Sequence, residues 1–79
     1  MQIIVSVALG SWFKRYYEGK TTLDITLNTN LMLSDLVKML SNIPADEVGM
    51  IAVNGVKQSL DYTLSNNDKV QIYPVIISG

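Results

Sequence analysis

The chain has 79 residues, which is room for one domain, expected to span 1–79. It contains no Cys and no His, so disulfides, thiol chemistry and Cys/His zinc sites are excluded, and a 48% hydrophobic content must build the core unaided. Six basic residues against seven acidic ones leave a formal net charge of -1, which gives no electrostatic hold on nucleic acid or on an anionic membrane.

Residues 2–9 alternate, with Ile3, Val5, Val7 and Leu9 on one face and Gln2, Ile4, Ser6 and Ala8 on the other. The second face is partly apolar, as in a central strand. No apolar run approaches the roughly 20 residues needed to cross a bilayer. The stretch Ile3–Leu9 also lacks the basic flank of a signal peptide, so the expected location is the cytoplasm. Gly10 ends this strand. An aromatic and basic connection, Ser11-Trp-Phe-Lys-Arg-Tyr-Tyr, leads to a Glu18-Gly19 turn and a second strand over 22–27, with Leu23, Ile25 and Leu27 inward.

The period then changes. Ser34 followed by Asp35 reads as a helix start, and Leu36, Val37, Leu40 and Ile43 form one apolar stripe, which predicts a helix over about 34–43 stopped by Asn42 and Pro44. Met50–Val53, then Asn54-Gly55, then Val56-Lys57 predict a short hairpin, because Asn and Gly both tolerate φ > 0. Ser65-Asn-Asn-Asp is a polar turn. Lys69–Tyr73 is a last strand with Val70 and Ile72 inward, and Pro74 is expected to end its ladder. Hairpin, helix, short hairpin and final strand define an α+β chain. Its economical arrangement is a β-grasp (ubiquitin-like) roll: a mixed four- to five-stranded sheet with one principal helix on one face. A right-handed crossover returns the later strands beside the first.

The last third, with Val53-Asn-Gly-Val, Leu64 and Asn67-Asp-Lys-Val-Gln-Ile-Tyr-Pro-Val-Ile-Ile-Ser-Gly79, resembles the MoaD/ThiS family of sulfur carriers. Asn54-Gly55 matches that family's V-N-G turn, Leu64 its buried leucine, and Asp68, Val70, Ile72 and Pro74 its G-D-x-[VL]-x-[IF]-x-P segment. Pro74 stands five residues before Gly79, at the family's spacing. Asn67 replaces the usual turn glycine, and Ser78 the penultimate one.

The resemblance implies that Gly79 is the adenylation and thiocarboxylate site. It further implies that Tyr73, Pro74, Val75, Ile76, Ile77 and Ser78 bind a partner, with the tail from about 76 to 79 flexible. The implied partners are an ATP-dependent activating enzyme and a molybdopterin-synthase-like large subunit or thiazole synthase. The chain itself is expected to bind no cofactor, ATP being used by the activating partner. It is expected to be a carrier with no catalysis of its own. The alternative from another class is a non-conjugating β-grasp adaptor that binds partners through its sheet or its Trp12–Tyr17 loop.

The aromatic and basic stretch has too few cations for base stacking beside phosphates, so Trp12 or Phe13 is expected to close the barrel end with the tyrosines on the surface. Asp46 and Glu47 read as solvated loop carboxylates without metal-ligand spacing. Ser and Thr are plentiful, but without His they have no evident base. Met32, Met39 and Met50 read as core filler.

Overall fold

The computed structural model describes residues 2–75. In chain order it contains β1 (Ile3–Ala8), α1 (Gly10–Phe13), a 3-10 turn (Lys14–Tyr17), β2 (Thr22–Leu27), α2 (Leu33–Met39), a second 3-10 turn (Ala45–Glu47), β3 (Val48–Val53), β4 (Val56–Lys57) and β5 (Lys69–Pro74). The strands make one mixed sheet in the order β2-β1-β5-β3-β4. β1 and β5 run parallel at its centre, and the other pairings are antiparallel.

Register explains why one face is dry. Val5 lies opposite Ile25, Ile3 opposite Leu27, Val7 opposite both Leu23 and Val70, and Ile51 opposite Ile72, so apolar side chains of four strands meet. Leu33 and Leu36 from α2, Leu40 at its C-terminal cap, Phe13 and Leu64 complete this core. The Asn54-Gly55 turn has both residues at positive φ (53° and 84°), as its hairpin requires. Asn67 also takes up the left-handed conformation that a glycine would adopt at φ 68°.

Several local expectations are corrected. The helix is shorter than 34–43: Leu40, at φ −85° and ψ 56°, already caps it. The Leu40 N–H is shared by the Leu36 and Val37 carbonyls, a tightened last turn. Ser34 is inside the helix instead of capping it. The first free N–H groups, those of Leu33 and Ser34, donate to the Tyr62 and Leu60 carbonyls (2.9 and 3.0 Å), while Asp35 accepts the Met32 N–H at 3.2 Å. A distant segment thus takes the place of a capping side chain. Val37 is half-buried, packed against the core from its margin.

A short helix, α1, forms where only a connection was expected. It has no side-chain cap, and Phe13 anchors it with no exposure at all, while Trp12 stays 46% exposed. Tyr16 and Tyr17 are half-buried against the core rather than lying on the surface. Met32, Met39 and Met50 are exposed and fill no core space. Met50 faces outward because it pairs with Tyr73 on the open side of the sheet. Pro74 is the last residue of β5, as expected, and it still pairs with Val48 across an irregularity between Val48 and Met50, a place where a strand tolerates a missing N–H.

Candidate functional site

The end of β5 carries the residues singled out from the sequence. Tyr73 faces solvent from the open side of the sheet, and its hydroxyl donates to Gln71 Oε1 at 2.9 Å. Pro74 is half-buried and Val75 is exposed. Ile76, Ile77, Ser78 and Gly79, including the expected adenylation position, lie outside the described residues.

What holds Pro74 and Val75 comes from other elements. Gly49 of β3 has no side chain because none fits: a Cβ there would stand 2.8 Å from the Pro74 carbonyl oxygen and 2.9 Å from Val75 Cα. On the other side, the Val75 N–H donates to the Glu47 carbonyl at 2.8 Å. Glu47 is in turn held by the loop after β1. Trp12 Nε1–H donates to its Oε1 at 2.9 Å, and the Tyr16 hydroxyl lies 2.8 Å from Oε2 and 3.0 Å from Oε1. Arg15 approaches the same carboxylate at 3.8 Å and stacks its guanidinium 3.8 Å from the Trp12 ring centroid. The indole and then the Tyr16 hydroxyl hold the Glu47 carboxyl below the ordinary glutamate range. They outweigh its partial desolvation, and the Arg15 charge adds to them.

Glu47 is therefore not the freely solvated carboxylate expected from its loop. Two open clefts flank this end of the strand and share Trp12 and Pro74. One, of ≈ 230 Å³, runs along Ala8–Trp12 and Gln71–Pro74. The other, of ≈ 390 Å³, is lined by Trp12, Asp46, Glu47, Pro74 and Val75.

Sequence reasoning missed Trp12, Tyr16, Glu47 and Gly49 as a group. The hydrogen bonds that join the first three span 35 and 31 residues, and no local spacing announces them. A clue was present only in the Gly49 position, just ahead of an apolar run. Among the described residues no cluster of His, Cys, Asp or Glu is arranged to hold a metal ion, and no helix is long and apolar enough to cross a membrane.

A second polar cluster stands at the opposite end of β5. Asp68, only 6% exposed, accepts from Asn54 Nδ2 (2.9 Å), the Ser65 N–H (2.8 Å) and the Tyr62 hydroxyl (3.2 Å). Asn54 exchanges hydrogen bonds with the Lys69 backbone, accepting its N–H at 2.9 Å and donating its own N–H to the Lys69 carbonyl at 2.8 Å. The motif residues Asn54 and Asp68 thus tie the β3–β4 turn to the start of β5. Their role here is to build the fold.

A five-stranded mixed sheet with parallel central strands, closed on one face by a single principal helix, is the ubiquitin-like β-grasp. Within that class the chain belongs to the Mut7-C ubiquitin family, whose model matches residues 11–78. Among solved structures it is similar to a Pyrococcus furiosus protein assigned as molybdopterin converting factor, subunit 1, with a TM-score of 0.79 and 23% identity over 94% of this chain and 99% of that one. It is also similar to small archaeal modifier protein 1 of Haloferax volcanii (TM-score 0.75, 12% identity, 94% and 99% covered). A third similar chain occurs in the complex of subunits 1 and 2 of molybdopterin-converting factor from Helicobacter pylori (TM-score 0.67, 21% identity, 98% and 100% covered). The comparison with curated proteins gave no match. The β-grasp expected from the order of elements along the chain is the fold these neighbours share, consistent with the MoaD/ThiS-like resemblance.

Proposed function

We propose that the chain is a sulfur carrier. In this reading a partner enzyme uses ATP to adenylate the Gly79 carboxylate and release pyrophosphate. A sulfur donor then displaces AMP, so that a C–S bond replaces the C–O bond to AMP and a thiocarboxylate results. The observation that carries the reading is the end of β5, where Tyr73, Pro74 and Val75 emerge from the sheet at a fixed place between Gly49 and Glu47. A glycine suits the reacting position because it lacks the Cβ that would keep a carboxylate from a narrow channel. Similarity to molybdopterin converting factor subunit 1 and to a small archaeal modifier protein supports the class. Sulfur delivery in molybdopterin or thiamine synthesis follows as the pathway reading, with a molybdopterin-synthase-like large subunit or thiazole synthase as acceptor and the cytoplasm as location.

The test is intact mass after incubation with a candidate activating enzyme, ATP and sulfide, which measures whether the Gly79 carboxylate is free and gains sulfur. In ATP–pyrophosphate exchange, Ser78→Gly is expected to match or exceed the parent, because glycine has no Cβ to restrict the backbone next to the reacting terminus. Gly79→Ala falls by about a hundredfold, the cost of misplacing a reacting group by about 1 Å. Equal exchange by parent and Gly79→Ala removes Gly79 as the chemical handle. The non-conjugating adaptor reading then takes over, supported by the exposed Trp12 side chain.

A further inference from the structure

Glu47 is more heavily tied down than an exposed loop carboxylate needs to be. Both its oxygens accept hydrogen bonds, from Trp12 and Tyr16, and Arg15 lies against it and over the indole. The backbone carbonyl of the same residue receives the Val75 N–H. Pro74 has no N–H, so this bond is the donor contact that ties down the chain just past the end of β5. Gly49 packs against the same stretch of main chain, where a Cβ would stand 2.8 Å from the Pro74 carbonyl oxygen and 2.9 Å from Val75 Cα.

We infer that Trp12, Tyr16 and Glu47 form a clasp whose task is to set the position and direction of the chain at Val75, from which the reacting terminus is presented to the activating partner. This rests on the carrier reading. The clasp residues do no chemistry; they are positioning residues. A side chain locked by two long-range donors holds its own carbonyl still, and that carbonyl holds Val75. The energetic logic is preorganisation: a tail that starts from a fixed point has fewer wrong approaches to a channel. The half-exposed Trp12 fits the same role, since its ring lines both clefts beside Pro74 and a partner that grips the tail there meets it directly.

The experiment uses the full chain with three variants: Trp12→Phe/Tyr16→Phe, which removes both donors; Glu47→Ala, which removes the acceptor; and Glu47→Gln, which keeps an oxygen where both donors point. Amide hydrogen exchange is read at Val75 and, as an internal control, at Gln71 and Ile72 within β5. Loss of two net hydrogen bonds is expected to speed Val75 exchange by about tenfold, with the β5 amides unchanged. ATP–pyrophosphate exchange with the cognate activating enzyme is then expected to lose about tenfold in kcat, with KM within about twofold, for the double variant and Glu47→Ala. Glu47→Gln stays near the parent in both readouts. Unchanged Val75 exchange in the double variant overturns the clasp. Faster exchange with parent-like kcat overturns its positioning role while leaving the carrier reading intact. A parent chain that the enzyme does not activate at all removes the carrier reading and the role together, and the amide data distinguish that result from failure of the clasp.

Discussion

Gly49 and Pro74 touch backbone to backbone: a Cβ on Gly49 would lie 2.8 Å from the Pro74 carbonyl oxygen, closer than packed atoms come. The neighbouring atoms are main chain, Pro74 O and C and Val75 Cα, so no flexible side chain can swing aside. This contact is what allows β5 to reach Pro74, its last residue, alongside the irregular start of β3.

Gly49→Ala is therefore expected to overpack this contact and destabilise the protein by about 1–3 kcal/mol. In a domain of this size that lowers the melting midpoint by about 4–8 °C per kcal/mol. Thermal unfolding followed by circular dichroism measures it. A melt coincident with the parent means that β3 and β5 do not approach as described.

The two aromatic neighbours in α1 separate burial from exposure. Phe13 is fully buried and Trp12 is 46% exposed, although either was an equal candidate for closing the core. Phe13→Ala is expected to cost about 3–5 kcal/mol, a large part of the whole stability of so short a chain. Trp12→Ala costs much less than Phe13→Ala. Urea denaturation of both variants orders them, and the reverse order would mean that α1 is rotated.

The Asn54–Asp68 pair joins two turns through a nearly buried carboxylate. Replacing Asp68 by Ala leaves the Asn54 amide and the Ser65 N–H without their acceptor, at a cost of about 1–3 kcal/mol. In a double-mutant cycle with Asn54→Ala the two changes are expected to couple by at least about 0.5 kcal/mol. Burial, and then the Asp68 charge and hydrogen bond, push the Tyr62 hydroxyl above its usual value. A raised folded pKa gives stability that is complete below the unfolded value, about 10, and declines as pH rises through the folded one. Alkaline titration of stability is expected to show this decline in the parent and to lose it in Tyr62→Phe.

Glu47 has the opposite sign. Its folded pKa is lowered, first by Trp12 and then by Tyr16, so its contribution is present above the ordinary glutamate value of about 4.3 and fades as pH falls through the folded value. Trp12 is the chain's one tryptophan, so its fluorescence reports this contact directly. An emission change is expected in mild acid, below the ordinary glutamate value and ahead of global unfolding by circular dichroism. It is expected to be absent in Glu47→Gln. A parent and variant with the same fluorescence titration would sever Trp12 from Glu47.

Sequence alone determined the period-two strands, the Asn54-Gly55 turn, the order of elements and the exclusion of thiol and histidine chemistry. Each depends on geometry that repeats every two to four residues, or simply on which side chains exist. It also placed Leu36, Leu40, Ile43, Val70 and Ile72 on inward faces, because apolar faces have to meet, while Val37 of the same stripe is only half-buried. Only the tertiary structure decided where α2 begins and ends, since its first N–H groups find partners at Leu60 and Tyr62. It alone exposed Met32, Met39 and Met50, chose Phe13 over Trp12 for burial, and turned Glu47 into the hub beneath Val75. The Glu47 contacts join positions more than thirty residues apart. No local period encodes such a pair; the sheet order β2-β1-β5-β3-β4 brings the loop after β1 and the turn before β3 to the same end of β5, and the chemistry follows from that meeting.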